Sequence, residues 1–269
     1  MSGSATRSSD ARPARGPDME AGEKEPIVRE RPSLARWIVQ PVVCLAAIGA
    51  VLAYTTSLEL TTKQGLLATD ELVDGFARHV FLTVVAALVV VAIAIPFGVL
   101  LTRGPMRRYT NVVLALAGFG QAAPAVGLVV LGALLFGVGI WPFIGALVVY
   151  GILPVVANVV AGLDGVDRRL IQAGRGMGMS AFAVLRKVEL PIAVPVMLTG
   201  VRTAVVLMCG TAAFGGFVGA GGLGALLNTG IKLGENSLLV IGAVLIAALA
   251  LFLDWVARVV EVLATPKGL

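Results

Sequence analysis

Four long stretches of this sequence carry no charged residue, and this limits the possible folds more than any other feature. They run from Trp37 to Leu58, Val80 to Leu101, Tyr109 to Leu163 and Thr203 to Ile231. About 20 mostly apolar residues are enough for a helix to cross the hydrocarbon core of a bilayer. Only 14% of the 269 residues are charged, whereas a soluble domain carries roughly 25%. The sequence therefore predicts an all-helical, polytopic membrane protein.

The apolar stretches divide into about six predicted transmembrane helices. We place them at Trp37–Thr56, His79–Thr102, Asn111–Val138, Trp141–Gly162, Pro191–Val218 and Ser237–Val260. Residues 1–35 are rich in Ser, Pro, Gly, Arg and Glu and have almost nothing apolar to bury, which predicts a disordered tail. The expected organisation is this tail, a first helix with an outer loop over 36–74, a helical core over 75–262 and a short tail over 263–269. The core includes a long loop over 164–190.

The basic residues are distributed unevenly between alternate loops. The tail holds seven, the loop after the second span holds Arg103, Arg107 and Arg108, and the 164–190 loop holds five more. The opposite loops hold only Lys63, Arg78 and Lys232. Lys and Arg accumulate in cytoplasmic loops. We therefore expect both termini and the 164–190 loop to be cytoplasmic.

Few ionisable residues fall inside the predicted spans, where such groups are functional candidates. Arg202 lies roughly 16 Å into the fifth span at the rise of an α-helix, and either extends toward the head groups or lines a pore. Asp254 and Arg258 are four residues apart on one helix, which predicts a local ion pair. His79, at the predicted outer start of its span, is expected to be a polar anchor. Without a buried carboxylate relay, the chain shows no energy source of its own.

Two other features interrupt the apolar pattern. Pro124 breaks a helix and can leave free carbonyl groups facing a pore. Asn158 is expected to face the helix bundle, where it either bonds between helices or lines a path. The sequence shows no nucleophile–base pair and no metal-ligand spacing. We therefore expect no catalytic residue, no metal and no cofactor.

The 164–190 loop is predicted to form two short helices. Asp167 can cap a helix from Arg168 to about Met177, which ends at Gly178. Ser180 can cap a second helix over 181–189, before Pro191 begins the next span. The apolar side chains expected to be exposed on these helices are Leu170, Met177, Phe182 and Leu185. They need a partner surface, unless the loop lies on the membrane.

The residues of this loop resemble the signature of binding-protein-dependent ABC importer permeases. That signature reads Glu-Ala-Ala, three residues, Gly, nine residues, Ile, any residue, Leu-Pro. The matching positions in this sequence are Gln172, Ala173, Gly174, Gly178, Val188, Leu190 and Pro191. Gln172, Gly174 and Val188 depart from the signature residues, and Gln172 replaces a carboxylate expected to help hold the ATPase interface. The resemblance implies that this loop is a coupling helix that inserts into a groove on an ATPase.

Further motifs are similar to the glycine betaine/carnitine/choline/proline branch of that family. They comprise Arg175–Met179, Val188–Pro191, Gly200–Ala204, Gly219–Gly224, His79–Arg103 and Gln121–Pro124, and the resemblance covers roughly residues 75–262. In this family Gly221, Gly222 and Gly224 would belong to an outer gate made of re-entrant backbone; the alternative is an ordinary loop.

The resemblance implies the type I ABC importer permease fold, in a prokaryotic plasma membrane. It also implies a second permease copy or a related subunit, two cytoplasmic ATPases and an external substrate-binding protein, with no ATP hydrolysis by this chain and no nucleic-acid partner. Aromatic residues make up only 6% of the sequence and are not clustered, so we assign high-affinity selection of a quaternary ammonium solute to the binding protein. The alternatives are the same importer class with methionine or another small solute, and an ATP-independent carrier or channel.

Overall fold

The computed structural model describes residues 34–57, 69–122 and 124–265. Most of the predicted tail 1–35, the outer-loop residues 58–68 and the end of the predicted tail 263–269 lie outside these ranges. The described chain is almost entirely helical, with no strand in those ranges. The predicted fold class is therefore confirmed.

Ten α-helices follow one another along the described chain. They are α1 Leu34–Ser57, α2 Thr69–Leu101, α3 Thr110–Ala122, α4 Ala125–Phe136, α5 Ile140–Asp164, α6 Arg168–Gly176, α7 Ala181–Val184, α8 Leu190–Thr211, α9 Gly224–Leu233 and α10 Asn236–Ala264. Short 3-10 helices lie at Gly104–Tyr109 and Ala212–Phe217, and a π-helical turn at Leu185–Glu189 joins α7 to α8.

Four helical stretches in the described chain are long and apolar enough to cross a membrane, by length and composition. They are α2, α5, the continuous stretch Ala181–Phe217 that contains α8, and α10. Shorter apolar segments lie in α1, at Ile38–Val51, and in α4. Four of the predicted spans therefore correspond to helices of spanning length, and the total of about six stays a prediction.

The predicted third span, Asn111–Val138, is two helices rather than one. α3 has 13 residues and α4 has 12, and Pro124 stands directly before α4 with an extended backbone (φ −61°, ψ 128°). Proline lacks the N–H group that would continue the helical hydrogen-bond pattern, and its ring clashes with the preceding turn. The predicted helix break at Pro124 is therefore confirmed, and it divides the predicted span into two short helices.

The centre of the bundle is built from α5 and α8, which pack against each other. α5 also packs against α2, α3 and α4, while α8 also packs against α2 and α10. Small residues allow close approach at these crossings: a β-carbon on Gly98 of α2 would lie 2.6 Å from Val159 of α5, and one on Gly200 of α8 would lie 2.5 Å from Asn158. Close approach through small residues is how helices associate in lipid, where the hydrophobic effect between them is weak.

A second group of buried residues joins α1, α8 and α10, and Leu226 of α9 packs against it. It contains Val51 of α1, Cys209 of α8 and Ile241 of α10. Both cysteines are free and buried, so they act as small packing residues here. α1 therefore packs mainly against α10, so the first and last described helices are neighbours.

Candidate functional site

The 164–190 loop forms the two capped helices that its sequence predicts. The Asp167 carboxylate accepts a hydrogen bond from the Arg169 backbone N–H at 2.8 Å, at the start of α6. The Ser180 hydroxyl oxygen accepts one from the Ala183 N–H at 3.2 Å, at the start of α7. The second predicted helix differs in its last part, since the π turn replaces regular α-helix over Leu185–Glu189. π turns occur frequently at functional sites.

The signature residues of this loop separate into an exposed part and a packed part. Gln172, Ala173 and Gly178 are exposed, whereas Gly174 is buried. A β-carbon on Gly174 would lie 3.3 Å from Val184, so glycine there allows α6 to pack against α7. The half-buried members are Val188, Leu190 and Pro191. The exposed part of the signature is thus available to a partner, while the packed part holds the two helices together.

Exposed apolar side chains accompany the exposed signature residues. Met177 is 72% exposed, Phe182 69% and Leu170 48%. Leu185 differs from its prediction, because it packs against the main core of the bundle. The loop therefore presents three large apolar side chains around Gln172 and Gly178, a surface that favours contact with another protein or with lipid.

An ion pair connects the end of this loop to the segment that follows α2. The sequence analysis did not predict it. Glu189, the last residue of the π turn, is almost fully buried. Its carboxylate accepts hydrogen bonds from both terminal nitrogens of Arg103, with a distance of 3.1 Å from Nη1 to Oε1. Near the start of the loop, Arg107 Nη2 lies 3.0 Å from Asp164 Oδ1, and both of these side chains are exposed. The two arginines belong to the segment between α2 and α3.

A second charged cluster joins three helices through Asp254. Arg202 Nη2 donates to Asp254 Oδ2 at 2.9 Å, and Arg202 Nε donates to Oδ1. Gln40 of α1 donates to Oδ2 at 2.9 Å as well. Arg258 approaches the same oxygen only at 3.5 Å. The predicted local pair between Asp254 and Arg258 is therefore present, but the shorter contacts of Asp254 are with Arg202 and Gln40.

Two polar residues of the bundle have partners other than those expected. Asn158 donates to the carbonyl oxygen of Pro154 at 2.8 Å, within its own helix, and packs against Gly200. His79 is fully buried, because α2 begins at Thr69 and places it in the third turn. Its Nε2 lies 3.0 Å from the carbonyl oxygen of Cys209. The prediction that His79 is an interfacial anchor was wrong, since the acidic residues Asp70 and Glu71 favour an earlier helix start.

The glycine-rich segment after α8 folds back into the protein instead of forming an open loop. Gly221 and Gly222 have φ values of +80° and +79°, which side chains rarely adopt. Gly224 lies so close to the 3-10 helix that a β-carbon there would be 1.9 Å from the Ala213 carbonyl oxygen. Arg78 of α2 donates from Nε to the Ala220 carbonyl oxygen at 3.0 Å. The turn is thus hydrogen-bonded to α2 and packed against the 3-10 helix Ala212–Phe217.

Pro124 is exposed beside the break between α3 and α4. Pro124 belongs neither to the glycine-rich turn nor to the Asp254 cluster, so these predicted residues do not form one site. Over the described ranges, no group of three or more His, Cys, Asp or Glu side chains is placed to hold a metal ion.

Comparison with known proteins identifies relatives over most of the chain. The family described as "Binding-protein-dependent transport system inner membrane component" matches residues 94–262. The glycine betaine/carnitine/choline transport system permease protein OpuCB of Bacillus subtilis is 34% identical over 199 residues, which cover 74% of this chain and 91% of the relative. The osmoprotectant import permease protein OsmW of Salmonella typhimurium is 38% identical over 197 residues, covering 71% and 91% of the two chains.

A solved structure has the same arrangement of helices. A chain of the MetNI methionine ABC transporter in an inward-facing conformation superposes with a TM-score of 0.64 and 25% sequence identity. The superposition covers 72% of this chain and 96% of that chain. The type I ABC importer permease fold expected from the loop motif is therefore confirmed.

Proposed function

This chain belongs to the family of inner membrane components of binding-protein-dependent transport systems, and we propose that it is the permease subunit of an ATP-driven importer for osmoprotectants. The solutes are small zwitterionic or quaternary ammonium compounds such as glycine betaine, carnitine, choline or proline. The chain is a multi-pass protein of the plasma membrane. ATP hydrolysis takes place on a separate ATPase.

The observation that carries this proposal is the extent of the match to osmoprotectant permeases. OpuCB and OsmW are matched over 91% of their own length, so the similarity includes the membrane helices as well as the loop. The methionine transporter shares the fold at 25% identity, below the 34–38% identity of the osmoprotectant permeases. This difference favours an osmoprotectant over methionine as the cargo. Membership of the family favours an importer over an independent carrier or channel.

The 164–190 loop is the proposed docking site for the ATPase. Its exposed surface combines Gln172 and Gly178 with three large apolar side chains, and such a surface is stabilised by burial against a partner. Gln172 has no charge, so its contact with the ATPase would be a neutral hydrogen bond, weaker than one made by a carboxylate. ATP-driven closure of two ATPases would draw two such loops together and change access to the path by rigid-body motion.

The glycine-rich turn is the proposed outer gate element. Its backbone folds into the protein where its polar groups find partners, as irregular backbone at membrane depth requires. Asn158 and Pro124 remain candidate path residues. Arg202, because it is paired with Asp254, is assigned to the joining of α8 and α10. Selection of the solute would occur on an external binding protein, since the described helices bring together pairs of aromatic rings, such as Phe214 with Phe217, rather than a cage.

Reconstitution tests this function directly. The chain is placed in proteoliposomes with its candidate ATPase and binding protein, and ATP-dependent uptake of radiolabelled glycine betaine is measured. Uptake that requires all three components and is competed by carnitine, choline or proline supports the importer class and the cargo. Stimulated ATP hydrolysis without betaine uptake would retain the class and reject the cargo. Uptake that persists without ATP would reject the importer class.

A further inference from the structure

We propose that the Arg103–Glu189 ion pair is a positioning contact that carries the movement of the 164–190 loop to α2. This inference rests on the proposed importer function and concerns how the loop acts on the membrane helices. The loop is already joined covalently to α5 and α8. The ion pair adds a third connection, to the end of α2. Its two residues, Arg103 and Glu189, are 86 positions apart in the sequence.

The geometry of the pair is suited to transmitting force. Arg103 and Glu189 form a bidentate contact, in which both terminal nitrogens of the guanidinium face both oxygens of the carboxylate. Bidentate pairs of this kind fix the relative orientation of the two groups as well as their separation. A rotation of the π turn would therefore displace Arg103, which lies two residues after the end of α2.

Burial makes this pair stronger than the other ion pair of the region. The Glu189 side chain is 5% exposed and that of Arg103 38%, whereas Arg107 and Asp164 are 58% and 44% exposed. Solvent screens exposed pairs, so they contribute little. A buried carboxylate that loses its partner is strongly unfavourable. Glu189 therefore requires Arg103 throughout any movement of the loop, and the two must move together.

Packed side chains connect the exposed helix α6 of the loop with the π turn that carries Glu189. α6 packs against α7 and the π turn, and a β-carbon on Gly174 would lie 3.3 Å from Val184. Leu163, Val166 and Ile171 border the cavity of about 80 Å³ beside Glu189 and Arg103. A displacement applied to the exposed face of α6 thus reaches the π turn through packed side chains. Arg103 then passes it to α2, which packs against both α5 and α8.

The test compares Arg103→Gln and Glu189→Gln with the charge-exchanged double variant R103E/E189R. Each is assembled with the ATPase and the binding protein, and solute uptake is measured per ATP hydrolysed. We expect each single variant to lower this ratio roughly fivefold or more, the lower range of typical coupling between sites, while the complex still hydrolyses ATP. The double variant should recover most of the ratio. Arg107→Gln removes the same charge from the same segment and serves as the matched control, with a ratio close to wild type.

A purely structural role gives a different result. Uptake and hydrolysis would then fall together, with an unchanged ratio and a lower thermal stability in detergent, and the proposal would be overturned. An unchanged ratio in both stable single variants would also overturn it. Wild-type complexes that hydrolyse ATP in response to the binding protein but do not move betaine would reject only the proposed cargo. The ion-pair proposal is then tested by whether the single variants lose the stimulation of ATP hydrolysis by the binding protein. Wild-type complexes without any stimulation would reject both proposals.

Discussion

At the scale of single residues, Asp254 shows how this bundle accommodates charge. It accepts hydrogen bonds from Arg202 of α8 and Gln40 of α1, and Arg258 lies one turn further along its own helix. Charged groups that leave water must be paired and hydrogen-bonded. One carboxylate thus satisfies polar groups on two other helices and connects α1 with α10, the first and last described helices.

Replacing this carboxylate is expected to destabilise the protein. Asp254→Asn removes the charge that Arg202 requires and should lower the free energy of unfolding by about 2–3 kcal/mol, below the full cost of breaking a buried pair because both side chains remain partly exposed. Arg258→Gln is the matched control and should cost less than about 1 kcal/mol, since its contact is long. Thermal unfolding in detergent measures both. An equal loss of stability in the two variants would show that Arg202 does not require the charge of Asp254.

Gly178 is a residue whose backbone, as well as its size, matters. Its φ of +83° is unfavourable for other residues, and it is exposed with no atom near the position of a β-carbon. Gly178→Leu should insert into the membrane normally but abolish coupled uptake, because a left-handed leucine costs about 1–2 kcal/mol and adds bulk to the docking surface.

The control for this variant is Gly234→Leu. Gly234 lies in the left-handed region, with φ +67° and ψ +23°, and it is exposed with no atom within 4 Å of a β-carbon. It follows α9, outside the 164–190 loop, so the variant adds left-handed strain and bulk without altering the docking surface. Wild-type uptake by Gly178→Leu would argue against close docking of this loop, as would an equal loss of uptake in the Gly234 variant.

At the scale of elements, the sequence predicted local structure well and long-range pairing poorly. The caps Asp167 and Ser180 located the starts of α6 and α7, because capping depends on residues two or three positions away. Hydropathy located α5 and α10. Pro124 predicted the break between α3 and α4, because proline cannot continue the helical hydrogen-bond pattern. The pairs Arg103–Glu189 and Arg202–Asp254 depend on how distant helices pack, which a single sequence does not reveal.

The contact between α5 and α8 provides a test at this scale. A β-carbon on Gly200 would lie 2.5 Å from that of Asn158 and 2.8 Å from the Pro154 carbonyl oxygen. Gly200→Ala should therefore force the two central helices apart and cost about 1–3 kcal/mol. Gly145→Ala, on α5 where nothing lies within 4 Å, should be neutral or slightly stabilising because alanine favours helix. Equal thermal stability of the two variants in detergent would show that α8 is free to shift.

At the scale of the whole molecule, the fold brings together two basic segments that the predicted topology places on one side of the membrane. The ion pairs Arg103–Glu189 and Arg107–Asp164 bring together two basic segments of the chain, those after α2 and before α8. Both segments are predicted to be cytoplasmic from their Lys and Arg content. Since they contact each other, they lie on one side of the membrane. In the predicted orientation, this is the side from which the proposed ATPase would approach.

Cysteine labelling tests this orientation with little background, because Cys44 and Cys209 are only 1% and 0% exposed. Met177→Cys and Leu233→Cys place single reactive thiols at positions that are 72% and 53% exposed, in the 164–190 loop and at the end of α9. In intact spheroplasts, a membrane-impermeant maleimide should label the Leu233 variant at once and the Met177 variant only after permeabilisation. The reverse pattern would invert the topology and place the proposed docking surface outside the cell. Co-expression of the ATPase should then protect only the Met177 position, since Met177 lies on the surface that docking would bury.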